Sequence, residues 1–398
     1  PKACLPVSFS VPVSAEYFAG GWDIESAGGD RLRVRYLISA IGALQIPYKP
    51  SIPGLNDFKG KVMHSAEWDQ DYDPRGKKVV VIGSAASAVQ IVPKIAEVAG
   101  RLTVMQRTPN YFIPRKDRKV SGFERNLFRK FPLVQKLYRW RQYLVNDYLF
   151  HANFSGRASL RKMFLHHLVH RHMKKQVKNP DLLQTLTPDY EIGCKRLLLS
   201  DDYLPAIQKD HVDLVADGID RFTGHALLTR TGQEIEADLV VLATGFETVH
   251  IFDDLRITGP DGISLDQAWA KEIRAHRSVA VKGFPNFFLM LGPNSGLGHS
   301  SILIMLEEQA RYISSLLKKA HHSRRPTILV RADAEEAHNQ AMQKALANTV
   351  WNTGCNSWYK DEQGRIFSLW PYTTTRFIRE MRKVRLGEYR FYNDEPAI

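Results

Sequence analysis

The stretch Lys77-Lys-Val-Val-Val-Ile-Gly-Ser-Ala-Ala-Ser-Ala88 decides the architecture. Lys77–Ile82 is a β-branched apolar run, the composition of a strand buried on both faces. A small-residue turn follows, then a helix over Val89–Ala99 and a second apolar strand, Leu102–Gln106. Strand, glycine turn, helix and strand within about 30 residues form the unit in which a dinucleotide fingerprint has meaning. The tight turn aims a helix N-terminus, with its unpaired N–H groups, at a pyrophosphate. Gly-x-Gly-x-x-Gly is the expected pattern, and Gly83-Ser84-Ala85-Ala86-Ser87-Ala88 supplies only its first glycine. Ala88 still lets helix and strand pack, whereas Ala85 sets a phosphate slightly farther out. The second strand runs into Gln106-Arg107-Thr108, where an acidic residue would hold the ribose hydroxyl of NAD. An arginine there suits the 2′-phosphate of NADP. The plainer alternative is an Arg107 that merely ends a strand at the surface.

Outward from this unit the chain echoes itself. Trp22–Gly42 reads as a strand, a Gly28-Gly29 turn, a second strand and the apolar run Tyr36–Gly42. His225–Gly245 repeats the scheme with a Thr231-Gly232 turn and the run Leu239-Val-Val-Leu-Ala-Thr-Gly245. Strands ending in turns such as Ala243-Thr244-Gly245 let a backbone come close to a cofactor. If the two units are equivalent, a strand, a glycine-rich turn and a helix are expected ahead of residue 1, so the chain reads as a fragment at its N-terminus. Pro1–Phe18 reads neither as a signal peptide nor as a clean first strand.

With 398 residues, 44% hydrophobic and 24% charged, the chain is an ordinary globular protein of two or more domains. Wholesale disorder and a collagen-like design are excluded. Cys4, Cys194 and Cys355 show no CxxC spacing, which argues against a zinc site, a redox pair or a disulfide framework and for a reducing, cytoplasmic compartment. No apolar run nears the roughly 18 residues of a membrane helix.

The net charge of +13 is localised: Arg115–Lys178 holds 17 Lys/Arg against 3 Asp/Glu, and five of the 14 histidines. Phe123, Leu127, Phe131, Val134, Leu137 and Leu144 recur there at helical spacing. Three readings follow: a helical cap on an enzyme with an anionic cofactor, a membrane-surface helix, or a nucleic-acid patch.

Phe58-Lys-Gly-Lys-Val-Met-His-Ser-Ala-Glu-Trp-Asp69 fits Phe-x-Gly-x-x-x-His-x-x-x-Trp-(Pro/Asp) at Phe58, Gly60, His64, Trp68 and Asp69. With the order of the other motifs, it makes the chain resemble the type I Baeyer–Villiger monooxygenases among the flavin-containing monooxygenases. The run Trp351–Pro371 resembles the 4-hydroxyacetophenone monooxygenase branch. The resemblance implies an α/β fold of two Rossmann-like dinucleotide-binding domains, the FAD domain incomplete and the NADP domain carrying a helical insert. The expected segments are 1–73 and 248–398 for FAD, 74–115 and 190–247 for NADP, and 116–189 for the basic insert. It implies FAD and NADP(H) as cofactors, and a flavin peroxide that inserts one oxygen atom of O2 beside a ketone carbonyl to give an ester or lactone. Alternatives are oxygenation of a soft N or S atom, and a truncated, flavin-free NADP-binding protein.

Carried over by position, Lys195 joins Arg107 and Thr108 on the 2′-phosphate, and Arg196 is the catalytic residue that stabilises negative charge over the flavin. Gly83 through Ala88 and Ala243-Thr244-Gly245 complete the NADP site. Trp68, Asn294, Gly298, His299 and Ser300 are expected at FAD, with a Ser or His capping a helix over Ile302–Leu317. His64 resembles a hinge residue between the domains, although an imidazole also shuttles protons. Trp351 is expected to line the substrate pocket or to be core. Ile41 stands where the family carries Thr. The partners implied are a small ketone or soft heteroatom substrate and O2. Nucleic acid is not expected, no protein partner is readable, and membrane contact would be peripheral, through the insert. No metal is expected.

Overall fold

The computed structural model describes residues 11–115, 117–156, 159–355 and 357–393. Cys4 and the start of Pro1–Phe18 lie outside them.

Pro12–Phe18 (β1), Gly21–Ser26 (β2) and Arg31–Val34 (β3) form an antiparallel meander, followed by Leu37–Ser39 (β4). The second half of Pro1–Phe18 is thus a strand after all. Ser14-Ala-Glu-Tyr-Phe alternates its burial, with Ala15 against the core, and β1 is sealed from its other side by the distant Arg256–Thr258. Ile46–Pro47 (β5) and Lys61–His64 (β6) lead into Lys78–Ile82 (β7), the helix Ala86–Ile95 (α1), Arg101–Met105 (β8) and Phe112–Ile113 (β9). The insert supplies Gly122–Lys130 (α2), Pro132–Leu144 (α3), a π-helical turn over Val145–Phe150, Leu160–Gln176 (α4) and Pro180–Leu186 (α5).

After Leu198–Leu199 (β10), Tyr203–Ala206 (α6) and Val212–Val215 (β11) comes a second meander: Ile219–Phe222 (β12), Ala226–Thr229 (β13) and Glu234–Glu236 (β14), feeding Leu239–Leu242 (β15). The remainder carries Phe246–Glu247 (β16), Arg256–Thr258 (β17), Leu265–Trp269 (α7), Phe287–Leu289 (β18), Ile302–Ser323 (α8), Thr327–Val330 (β19), Ala332–Leu346 (α9), Thr374–Met381 (α10) and Tyr389–Tyr392 (β20).

The organising sheet is parallel, in the order β11-β8-β7-β15-β6. Its faces follow from the two-residue period of a strand. Val79, Val81, Leu102, Val104 and Val241 pack under α1, α4 and α6; Val80, Met105, Val240 and Leu242 pack on the other side against Phe58, Phe222 and Leu227. Burial on both faces is why Lys77–Ile82 reads as an unbroken apolar run. The two meander-plus-strand units match the repeat read from the sequence, β4 pairing parallel with β18 as β15 pairs with β7 and β6.

In the insert, the helical period holds. Among α2 and α3 no residue is buried, so the apolar positions there are not a core face. A disulfide joins Cys194 to Cys355, with Cα atoms 6.3 Å apart across 161 residues of chain. This corrects the expectation of unpaired cysteines, because sequence spacing holds no information on so long a loop. No described helix is long and apolar enough to cross a membrane.

Candidate functional site

Gly83 turns β7 into α1 with φ +119°, and a Cβ there would lie 2.4 Å from the carbonyl oxygen of Ala243. That close approach is what the glycine provides: it lets the ends of β7 and β15 meet. Ala85 is the N-cap of α1 and gives no side-chain cap; Ala85 and Ala86 are exposed and Ser87 is half-buried, so the first N–H groups of the helix face outward without a protein partner from the cap. Ser84 is turned inward instead. Its hydroxyl donates to the Thr108 carbonyl (3.1 Å), and Asn110 Nδ2 donates to the Ser84 carbonyl (3.0 Å). Ser84 therefore fastens the turn to the strand end that carries Arg107. Asn110, which no motif flags, completes that fastening.

Arg107 is exposed and Lys195 half-buried. The Lys195 ammonium sits 5.0 Å from the centroid of the Tyr190 ring. Burial, and next the neighbouring Arg107 guanidinium, lower its pKa below the ordinary lysine value, with Asp189 opposing. Two cations from distant parts of the chain are thus brought together, and neither is in an ion pair among the described residues. Arg196, exposed beside them, faces Tyr359 of the C-terminal segment: burial pushes that phenol up to about 12, against the pull of Arg196. The Lys195-Arg196 pair directly follows Cys194, so the disulfide to Cys355 fixes this loop against the segment that bears Trp351 and Tyr359.

Phe58 packs edge-on against Phe222 (5.5 Å between ring centroids), and a Cβ on Gly60 would stand 2.6 Å from the Phe58 ring. His64 is 1% exposed. Its Nδ1 accepts from the Ala66 N–H (3.1 Å), which leaves Nε2 to donate to the Gly245 carbonyl (3.0 Å); burial lowers its pKa. The imidazole is a clip between the end of β6 and the Ala243-Thr244-Gly245 turn, at the point where β5 and β16 form a two-stranded crossing and Thr244 donates to the Tyr48 carbonyl. That geometry ties together the ends of two adjacent strands of the parallel sheet. Asp69 pairs with Lys61 (2.6 Å). Trp68, expected at FAD, packs against the core under the parallel sheet, on the NADP side.

On the other side, Asn294 has φ +58° and donates through Nδ2 to the Leu369 carbonyl (3.1 Å). Ser300 is half-buried, and Ser301 is the N-cap of α8 without a side-chain cap bond, so the expected Ser or His capping is absent there. A Cβ on Gly298 would strike the Phe154 ring at 2.5 Å. Phe154 in turn stacks on Trp351 (4.9 Å) and lies 5.9 Å from His299. Trp351 is 1% exposed, which makes it core in this structure and not a pocket wall. His299 is buried, with Nε2 shared between Asp147 and Thr374 at 3.3 Å each and Nδ1 without a partner. Asp147, Phe154 and Asn110 carry no sequence signal; only the fold brings them here.

The residues suit the dinucleotides that the motifs imply. An open helix N-terminus with an adjacent Arg–Lys pair fits a pyrophosphate and a 2′-phosphate. On the other side, Ser39 Oγ at the tip of β4 and His299 Nδ1 are among the buried polar atoms without a partner, which suits a polar group still to be received there. No group of His, Cys, Asp and Glu among the described residues could hold a metal.

Comparison with known proteins agrees with this geometry. Residues 36–342 match the family model of flavin-binding monooxygenase-like proteins. A Baeyer-Villiger monooxygenase of Streptomyces coelicolor is 43% identical over 383 residues, 94% of this chain and 72% of that protein. Another, from Pseudomonas aeruginosa, is 38% identical over 371 residues, 92% and 70% of the two chains. A solved oxidized steroid monooxygenase bound to NADP superposes with a TM-score of 0.83 at 24% identity, covering 96% of this chain and 80% of that one. The chain belongs to the flavin-binding monooxygenase-like family. It is a flavin-dependent monooxygenase with FAD and NADP(H) as its cofactors and O2 and a small molecule as its substrates.

Proposed function

We propose that the enzyme performs Baeyer–Villiger oxygenation: it consumes NADPH and O2 and inserts one oxygen atom beside a ketone carbonyl, giving an ester or lactone. Residues 74–115 and 190–247 hold NADP(H) and 248–398 with most of 1–73 hold FAD, with 116–189 inserted between; β6, expected on the FAD side, is an edge strand of the NADP-side sheet because Lys61–His64 pairs with β15. The turn Gly83–Ala88 receives the pyrophosphate on the N-terminus of α1. Arg107, Thr108 and Lys195 take the 2′-phosphate, and Ala243-Thr244-Gly245 lets the backbone approach. Asn294, Gly298, His299 and Ser300 shape the FAD side, with Trp351 packed behind them; Trp68 packs under the NADP-side sheet instead. When bound, FAD reduced by NADPH supplies the activated oxygen. Arg196 stands at the boundary of the two units, with its guanidinium free to stabilise negative charge as it develops on the substrate carbonyl oxygen. The basic insert adds a peripheral contact with membranes.

The observation that carries this reading is the pairing of Arg107 with Lys195, two cations held together by the fold next to an uncapped helix N-terminus and followed at once by Arg196. The test is product analysis with the FAD-loaded chain, NADPH and a panel of ketones and thioethers. Ester or lactone carrying one atom from labelled O2 is expected. NADPH oxidation that yields only hydrogen peroxide, or sulfoxides without any ester, would overturn it.

A further inference from the structure

The α2–α3 hairpin is folded yet covers nothing. Neither helix buries a residue, and the pair closes through the Phe128–Tyr138 ring contact, 5.9 Å between centroids. Leu133, Leu137 and Trp140 follow the i, i+4, i+7 spacing of one helical face and are 67%, 56% and 60% exposed. Phe123 on α2 is 76% exposed. The apolar surface continues at the start of α4, where Leu160, Met163 and Phe164 are exposed and Arg161 Nη1 donates to the Tyr148 carbonyl (3.1 Å), holding that helix start against the turn after α3. An apolar patch of this kind on a water-facing helix marks a docking surface.

Charge identifies the occupant. Arg125, Arg129, Lys130, Lys136, Arg139 and Arg141 flank the stripe, and none is in an ion pair among the described residues. The one acid on the two helices, Glu124, is already committed to Arg118 and to the Ser121 capping box. A second copy docking face to face would set this cationic patch against itself. Nucleic acid would answer the cations but leave a Leu–Leu–Trp stripe facing phosphates. A bilayer with anionic headgroups answers both, since apolar side chains reach the acyl boundary while arginine and lysine tips stay at the phosphates.

We propose that the α2–α3 hairpin docks the enzyme on anionic lipid surfaces, with Leu133, Leu137 and Trp140 inserted and the six flanking cations on the headgroups. This rests on the peripheral contact inferred for the insert and deepens it by assigning the helices and the lipid charge. It stands apart from the oxygenation chemistry, which is measured on soluble ketones without lipid.

The experiment is co-sedimentation of the FAD-loaded chain with phosphatidylcholine vesicles, with and without phosphatidylglycerol. Binding is expected only when phosphatidylglycerol is present, and it should weaken as salt is added. Lys136→Gln, Arg139→Gln and Arg141→Gln together should lower affinity about 100-fold. Trp140→Glu with Leu137→Glu should abolish sedimentation while leaving NADPH consumption with a soluble ketone unchanged, because both positions are far out in solvent. Equal binding to both vesicle types would overturn the anionic-lipid assignment and keep the peripheral contact. No binding to either would overturn both. Loss of self-association in Trp140→Glu, in a protein that ignores vesicles, would make the face a subunit interface.

Discussion

Replacing Lys195 by Met separates the cost of a site from its use. In the free protein the lysine is poorly placed: half-buried, beside the Arg107 guanidinium, with the Tyr190 ring at 5.0 Å as its compensation. Met keeps the apolar stem, relieves the like-charge pair and loses a cation–π contact of about 0.5–1 kcal/mol. The two effects oppose, so thermal stability without cofactor should move by less than about 1 kcal/mol. Binding is different. A charge-assisted hydrogen bond to the 2′-phosphate contributes about 1.5–3 kcal/mol, which is a loss of about 10- to 150-fold in kcat/KM for NADPH. NADH, lacking that phosphate, should lose nothing, so the assay is the ratio of the two cofactors' kcat/KM in wild type and variant. The pH profile adds a second check. Because burial and Arg107 lower the Lys195 pKa, the wild-type preference for NADPH should start to fade below the ordinary lysine value of 10.5, as the ammonium loses its proton, and Lys195→Arg should carry it to higher pH. An equal loss with NADH and NADPH would refute the reasoning and leave Lys195 as a structural residue.

Three further outcomes are expected. Gly83→Ala places a side chain at φ +119° and 2.4 Å from a backbone oxygen; with no flexible neighbour to yield, it should cost about 3 kcal/mol or more and release NADP in a binding titration. Cys194→Ser, or reduction of the wild type, should cost about 2–4 kcal/mol and lower the melting temperature, whereas the Cys194→Ser/Cys355→Ser pair should melt alike with and without reductant; a wild type indifferent to reductant would mean that the two thiols are not joined. His64, His151, His166, His276 and His338 all have pKa values pushed below 6.5, chiefly by burial, His338 to about 3. The unfolded chain therefore takes up protons near pH 6.5 that the folded one refuses, so stability should fall as pH drops below that point, with His64→Gln giving a shallower slope in denaturant titrations.

Periodicity made the central unit legible. A strand buried on both faces, a glycine that only a close approach explains, and a helix stacked over it left one topology for residues 77–106. The meander repeat was equally visible, because each copy ends in an apolar strand, although only β15 is buried throughout; in β4 Ser39 alone is buried and Ile38 is exposed. Sequence could not say what covers a helix. Leu133, Leu137 and Trp140 have the spacing of a core face, and period alone does not distinguish burial in protein from exposure. Nor could it place side chains that work through distant partners. Ser84 looked like a phosphate contact and is an internal fastener to Thr108; Trp68 looked like a flavin neighbour and packs beneath the opposite sheet; Cys194 and Cys355 meet only because the whole chain folds between them.

The insert bridges the two units. Leu165, Val169 and Met173 of α4 sit in the core under the NADP-side sheet. Eighteen residues before Leu165, at Asp147, the same insert roots itself in the opposite unit. Asp147, 0% exposed, accepts from the amides of Thr374 (2.6 Å) and Thr375 (3.0 Å) and so caps α10 from 227 residues away, besides taking the Thr375 hydroxyl and His299. Burial alone would raise this carboxyl; the hydrogen bonds from His299, Thr375 and Thr374 outweigh it and hold the group ionised, well below the usual carboxylate range. Phe154 extends the root into the cluster of Trp351 and Tyr359. With the Cys194–Cys355 link, two ties then cross between the units, while the His64 clip stays within the parallel sheet and joins the ends of β6 and β15. In the roles proposed above for Lys195 and Arg196, one cation on a nucleotide and the next over a reacting carbonyl, the loop would gain its precision from such ties, since an error of an ångström at Arg196 is enough to waste its charge.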